Sequence, residues 1–206
     1  MKTLFILAMC LGLFCQSVSL AKQPAPERGY LTKDKTLSGK FIQNRFLNGF
    51  KAPLKTNGEF YLVPELGLAW IVKAPFASRL LMTQDGILQI TNGSAVKTGD
   101  GRAARLIAGI LYPALFGDWE QLKKDFDIEE QPLAGADKAW EFTLHPLNDR
   151  VRTFVNKLVV KGKETTQSVV LFRSGGDRDE IQFVDQKVWD KPPSAALTAF
   201  SELQGE

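Results

Sequence analysis

The chain has 206 residues, with 26 Lys and Arg against 23 Asp and Glu, a net charge of +3 and an apolar share of 44%. A balance so close to neutral gives no concentrated basic face for nucleic acid, and the apolar share is that of a chain able to bury a core. Both cysteines, Cys10 and Cys15, lie near the N-terminus, so the rest of the chain has neither disulfides nor thiolate metal ligands.

The opening "MKTLFILAMCLGLFCQSVSLAKQ" places Lys2 before an apolar run from Leu4 to Phe14, with small residues at Ser19 and Ala21. This is the pattern of a secretory signal peptide, residues 1–21, cleaved after Ala21. The run is about eleven residues long, against roughly 20 for a bilayer-spanning helix. Met9 precedes Cys10 and Phe14 precedes Cys15, so neither cysteine has the small neighbour that lipoprotein processing requires. Lys2 is the only charged residue of the leader, so the exported chain carries +2. About 185 residues remain, enough for one domain whose core needs no covalent staples. "KQPAPERG", residues 22–29, is a polar, proline-containing tether with little to bury, and the domain is expected over 30–192.

From Tyr30 the signals are those of a strand meander. "GKFIQNRFL" and "GEFYLV" alternate large apolar residues with polar ones and are bounded by Gly39, Gly49, Gly58 and Pro64. "GLAWIVKAPFASRLLMTQDG", residues 67–86, reads as two paired strands. The first is apolar on both faces, with Leu68, Trp70 and Val72 on one side and Ala69 and Ile71 on the other. Such a strand lies between two apolar layers, the second being a helix, another sheet, a partner protein or a bound apolar ligand. Asp85-Gly86 and Asn92-Gly93 favour tight hairpin turns and divide this region into three short strands.

The period changes in "DGRAARLIAGILYPALFGDWEQLKKDF", where Ala103, Leu106, Ile107, Ile110 and Leu111 fall on one helical face. Pro113 is expected to interrupt the helix, and Gly117-Asp118 offers a stop followed by an N-cap. Two or three short helices are therefore predicted across about 101–126, with Arg102 and Arg105 on the wet side. Strands resume in "KAWEFTL", "RVRTFVNKLVV", "TTQSVVLFR" and "DEIQFVD". Trp140, Phe142 and Leu144 share one face, and Phe154, Leu158 and Val160 share another that Asn156 interrupts. The tail, 193–206, follows a proline break and closes with a helical turn. The fold class is mainly β with a helical insertion (α+β), built on an antiparallel sheet of about nine to eleven strands.

Catalytic signatures are absent. His145, the only histidine, stands at the end of a strand in "LHPLND". A triad or metal centre would need partners beside it, and it reads as a turn-side residue. "GGDRDE" gathers Asp177, Asp179 and Glu180, too few ligands for a calcium loop, and a hairpin turn accounts for them. "GDGR" reads as a helix N-cap at Asp100. No G-x-S-x-G elbow, Walker loop or HExxH occurs. Neither enzymatic chemistry nor a cofactor or metal is expected. What remains is apolar surface in excess, enclosing either packed side chains or a cavity.

Several stretches recur in one order. Pro64, Trp70, Pro75, Ser78, Leu80, Leu81, Asp85 and Gly86 form a "P…W" strand followed by proline, serine, two aliphatic residues and "DG". Phe41 and Gln43 give an F-x-Q strand, and "LIA" at 106–108, "GDWEQL" at 117–122 and "WEFTLHP" follow. Together they resemble the LolA family of periplasmic lipoprotein carriers, and more closely its divergent LolA-like branch. The resemblance implies an incomplete antiparallel β-barrel closed by a lid of short helices over an apolar cavity for acyl chains, with no cofactor. It points to Phe60, Trp70, Leu81, Phe142 and Phe154 on strands and Leu106, Ile110 and Leu111 on the lid as cavity residues. The founding carriers have an arginine before the proline of the "P…W" strand that ties the lid shut. Val63 holds that place here, which leaves Arg45, Arg102 or Arg105 for a latch. The implied function is that of a monomeric periplasmic carrier. It would move a lipoprotein or glycolipid from an inner-membrane donor to an outer-membrane acceptor. The alternatives are an envelope-stress sensor or protein-binding module using the same half-barrel, and a lipid-directed enzyme with His145 as base.

Overall fold

A computed structural model describes residues 31, 34–83, 86–91, 94–97, 102–131 and 139–201. The predicted leader and tether lie outside them, as do Asp85, Asn92, Gly93 and the side chain of Arg102. The elements run β1 Thr36–Phe46, β2 Leu54–Val63, β3 Gly67–Ala74, β4 Ser78–Thr83, β5 Gly86–Thr91 and β6 Ser94–Lys97, then α1 Arg102–Phe116 and α2 Trp119–Leu122. There follow β7 Phe126–Gln131, β8 Trp140–Pro146, α3 Asp149–Arg152, β9 Val155–Gly162, β10 Thr166–Arg173, β11 Arg178–Trp189 and α4 Ser194–Ala199.

All the strands join one 11-stranded sheet in the order β6-β5-β4-β3-β2-β1-β11-β10-β9-β8-β7. Each half is a meander of neighbours, and the halves are stitched by β1 against β11, with Phe41 opposite Phe183 and Arg45 opposite Asp179. β6 and β7 do not pair with each other, so the barrel is incomplete, and the helical insertion lies between the halves in sequence. The registers Thr83↔Gly86 and Thr91↔Ser94 leave two residues in each connection; the second is the predicted Asn92-Gly93, whereas the first is 84–85, one residue earlier than the predicted Asp85-Gly86, and Gly86 opens β5.

The doubly apolar strand β3 finds a layer on each face. Leu68 and Trp70 enter the main core, while Ala69 belongs to a second cluster with Val63, Leu81, Ile90, Ala196, Ala199 and Phe200. The cover of that second face is therefore α4 and the residue after it, the tail for which the sequence predicted a proline break and a helical turn. Arg79 Nη1 donates to the Ala199 carbonyl at 3.0 Å and holds the helix end to β4.

The main core lies on the concave side. Gly39 stands opposite Phe60, and Gly58 opposite Phe41, across β1 and β2. A Cβ at Gly39 would come within 2.8 Å of the Phe60 ring, and one at Gly58 within 2.9 Å of the Phe41 ring. The missing side chains leave the space those rings fill. Phe41 then stacks on Trp70 at 3.8 Å, and Phe183 meets Phe60 edge-on at 5.4 Å.

Two local expectations are corrected. Pro113 lies inside α1 rather than ending it. It cannot supply the N–H for the Gly109 carbonyl, and because Gly109 is exposed, water can take that place. The stretch "RVRTFVNKLVV" is not one strand either. Asn148 caps α3 by accepting from the Val151 N–H at 3.0 Å, and β9 begins only at Val155. Phe154 therefore falls outside the strand register of Leu158 and Val160.

Phe200 is 1% exposed at the centre of the convex cluster. Phe200→Ala is expected to cost about 3 kcal/mol through lost burial and a residual cavity, read as a lowered urea midpoint at unchanged slope.

Candidate functional site

Helix α1 crosses the concave face. Its C-terminal half is buried, with Ile110, Leu111, Ala114, Leu115 and Phe116 all in the core, whereas Arg105 and Gly109 are exposed. Polar ties hold the same half. Thr166 Oγ1 donates to the Ala114 carbonyl at 2.6 Å, and the Tyr112 hydroxyl donates to the Pro64 carbonyl at 3.3 Å. The Leu31 N–H bonds the Phe116 carbonyl at 2.8 Å, and Asp118 caps α2 through the Gln121 N–H at 3.1 Å. These ties lie on the C-terminal half, and toward the N-terminus Ala108 is also buried while Leu106 and Ile107 pack against the same core.

Beneath it lies a cavity of about 160 Å³. Its apolar wall comes from Ile107, Ile110 and Leu111 above and from Trp70, Leu80, Met82, Leu158, Val169, Leu171 and Ile181 on the sheet. At the end nearer the β1–β2 turn the lining becomes polar, with Gln43, Arg173 and Asp179. Asp179 is 2% exposed, accepting from Arg173 Nε at 2.6 Å and from Gln43 Nε2 at 3.0 Å. Grooves of about 530 Å³ and 390 Å³ border α1 and share Ile110 and Met82 respectively with the cavity.

The residues predicted for the cavity divide. Trp70, Ile110 and Leu111 line it. Leu106 and Phe154 line the larger groove outside α1. Phe60 is buried behind the cavity wall, between Trp70 at 6.4 Å and Phe183. Phe142 is packed by Trp119 at 4.7 Å and Trp140 at 5.0 Å, so α2 plugs that part of the concave face with an indole. The Trp140 Nε1 donates to the Lys163 carbonyl at 2.6 Å. Leu81 points the other way, into the convex cluster, because it alternates with the cavity residues Leu80 and Met82.

Of the residues proposed for a latch, Arg45 faces Asp179 at 3.9 Å and Asp177 at 4.0 Å on the sheet itself and does not reach the helix. Arg105 is exposed and lines the outer grooves. The ties that hold α1 are neutral, a threonine and a tyrosine hydroxyl on main-chain carbonyls. Sequence reading missed them because such bonds have no local pattern. It also took Asp179 for a turn residue, whereas the turn ends at Asp177 and β11 carries Asp179 inward. His145 is exposed on β8, opposite Asp127.

No family model and no curated protein sequence matches the chain. Among solved structures, the chain is similar to the MucA/MucB complex of Pseudomonas aeruginosa, at 15% identity over 80% of this chain with a TM-score of 0.46. This chain spans 56% of the length of that one. A LolA superfamily protein from Nitrosomonas europaea is similar at 8% identity over 82% of this chain and 92% of its own, with a TM-score of 0.44. An outer membrane lipoprotein-sorting protein domain from Vibrio parahaemolyticus is similar at 9% identity over 86% and 94%, with a TM-score of 0.43.

Burial first, and then the Asp118 carboxylate, raise the Tyr112 hydroxyl above its ordinary 10.0. The folded chain keeps this proton where the unfolded chain has lost it, so the tie is intact at neutral pH and its contribution falls as pH rises past 10. Thr166→Val and Tyr112→Phe are each expected to cost about 1 kcal/mol and to speed amide exchange along α1 more than in β1 or β11. Tyr112→Phe should also flatten part of the fall in stability above pH 10, measured by thermal melts.

Proposed function

We propose that this chain is a carrier that shelters the acyl chains of a lipoprotein or glycolipid beneath α1. The observation that supports the reading is the apolar cavity enclosed between α1 and the sheet. A partly open cavity of about 160 Å³ compares with an engineered cavity of about 150 Å³ that takes benzene, so a long acyl chain requires α1 to move. The adjoining grooves give that movement somewhere to lead, since Ile110 and Met82 are shared walls.

Energetics favour a gated carrier over passive exchange. Burying each methylene is worth about 0.8 kcal/mol, so a chain of about 16 carbons gains on the order of 12 kcal/mol before ordering costs. Release at a useful rate then needs α1 to open and an acceptor to compete for the lipid. Exposed apolar side chains at the cavity's polar end suit such a hand-off: Phe50 is 71% and Phe76 84% exposed, with Leu54 beside the same turn as Phe50 and Leu147 after β8 on the same edge. In this reading the leader 1–21 delivers the chain to the periplasm, where an inner-membrane donor and an outer-membrane acceptor are its partners.

Purification from the periplasm of a Gram-negative host, followed by mass spectrometry of extracted lipid, should recover acylated molecules in near-stoichiometric amount. Leu171→Arg, which puts a charge into the cavity wall, should abolish recovery. A chain that retains no lipid and displaces no fluorescent fatty-acid probe would end the carrier reading.

A further inference from the structure

The cavity carries an ion pair that the fold does not need. Arg173 and Asp179 meet at the polar end of a mostly apolar chamber, and a buried pair of this kind is commonly matched or bettered in stability by apolar residues of equal volume. Their hydrogen bonding is also incomplete in one direction. Asp179 is satisfied by Arg173 Nε on one oxygen and by Gln43 Nε2 on the other, and Gln43 Oε1 receives the Thr56 hydroxyl at 3.4 Å. Arg173 spends only Nε on the carboxylate. Among the described residues its two terminal nitrogens have no hydrogen-bond partner, and Arg173 lines the cavity.

We infer that Arg173 is a docking donor for the ester or amide carbonyl at the head of a bound acyl chain, held in place by Asp179 and Gln43. The inference rests on the carrier reading and names the part of the cargo that is recognised. Arg45 also stands 3.9 Å from Asp179 and 4.0 Å from Asp177, so two arginines face two carboxylates and the cluster is neutral as a whole, which suits an uncharged acceptor rather than a free fatty acid or a phosphate. Its position fixes the cargo's direction. The polar residues lie at the end of the cavity toward the β1–β2 turn, and Trp70 lies deeper along the sheet, so the chain enters tail first and its carbonyl stops at Arg173.

The test uses the delipidated chain, with methyl dodecanoate, dodecane and sodium dodecanoate each displacing a bound fluorescent probe. Arg173→Met alone leaves buried Asp179 with only the more distant Arg45 and risks misfolding, so the informative variant is Arg173→Met combined with Asp179→Asn, whose amide oxygen can still accept from Gln43. It should fold with a thermal midpoint near the parent's and keep its affinity for dodecane. Its ester-to-alkane affinity ratio should fall roughly tenfold. The parent should also prefer the ester over the carboxylate. An unchanged ratio in the double variant, or tighter binding of dodecanoate than of the ester by the parent, overturns the inference while leaving the carrier reading intact. Failure of all three ligands to displace the probe overturns both.

Discussion

The seam between the buried half of α1 and the concave face of the open sheet decides how the rest of this molecule is arranged. An antiparallel sheet that does not close has two faces to cover, and here each receives a different cover. On the convex side α4 is short, and Ala196, Ala199 and Phe200 press it flat against β3 and β4. On the concave side the aromatic group of Phe41, Phe60, Trp70 and Phe183 fills one region, and Trp119 with Trp140 and Phe142 fills another. Only the aliphatic strip between them lacks a large ring of its own. Helix α1 lies over that strip, and the cavity is what its side chains do not fill.

Such an arrangement gives one element two mechanical characters. From Ile110 to Phe116 the helix is buried and hydrogen-bonded through Tyr112 and Ala114, while Arg105 and Gly109 face solvent. Pro113 removes one internal hydrogen bond near the junction of the two halves. The local free energy of opening should therefore rise along the helix from its N-terminus.

Much of the fold was legible because its signals are local. Alternation exposed the strands, Asn92-Gly93 marked one two-residue connection and Asp85-Gly86 fell one residue late for the other, and the spacing of Leu106, Ile107, Ile110 and Leu111 marked the helix. The doubly apolar character of β3 was equally plain, but not what covers it, since α4 comes to β3 from far along the chain. Side-chain facing was harder. In "RLLM" both leucines are apolar, and only the register with β3 and β5 tells that Leu80 looks into the cavity and Leu81 away from it. Asp179 was hidden for a related reason: beside Gly175, Gly176 and Asp177 it looks like the end of a turn, and its burial is a consequence of pairing with β1.

The central claim is that an acyl chain occupies the space between α1 and the sheet, and not the convex surface. Methyl-resolved NMR of the chain with a nitroxide-labelled fatty acyl ester tests it directly, because the spin label broadens only methyls close to it. The account predicts broadening of Ile110, Leu158 and Leu171, with Leu81 and Ile90 left sharp. Broadening centred on Leu81 and Ile90, or none at saturating ligand, would contradict it.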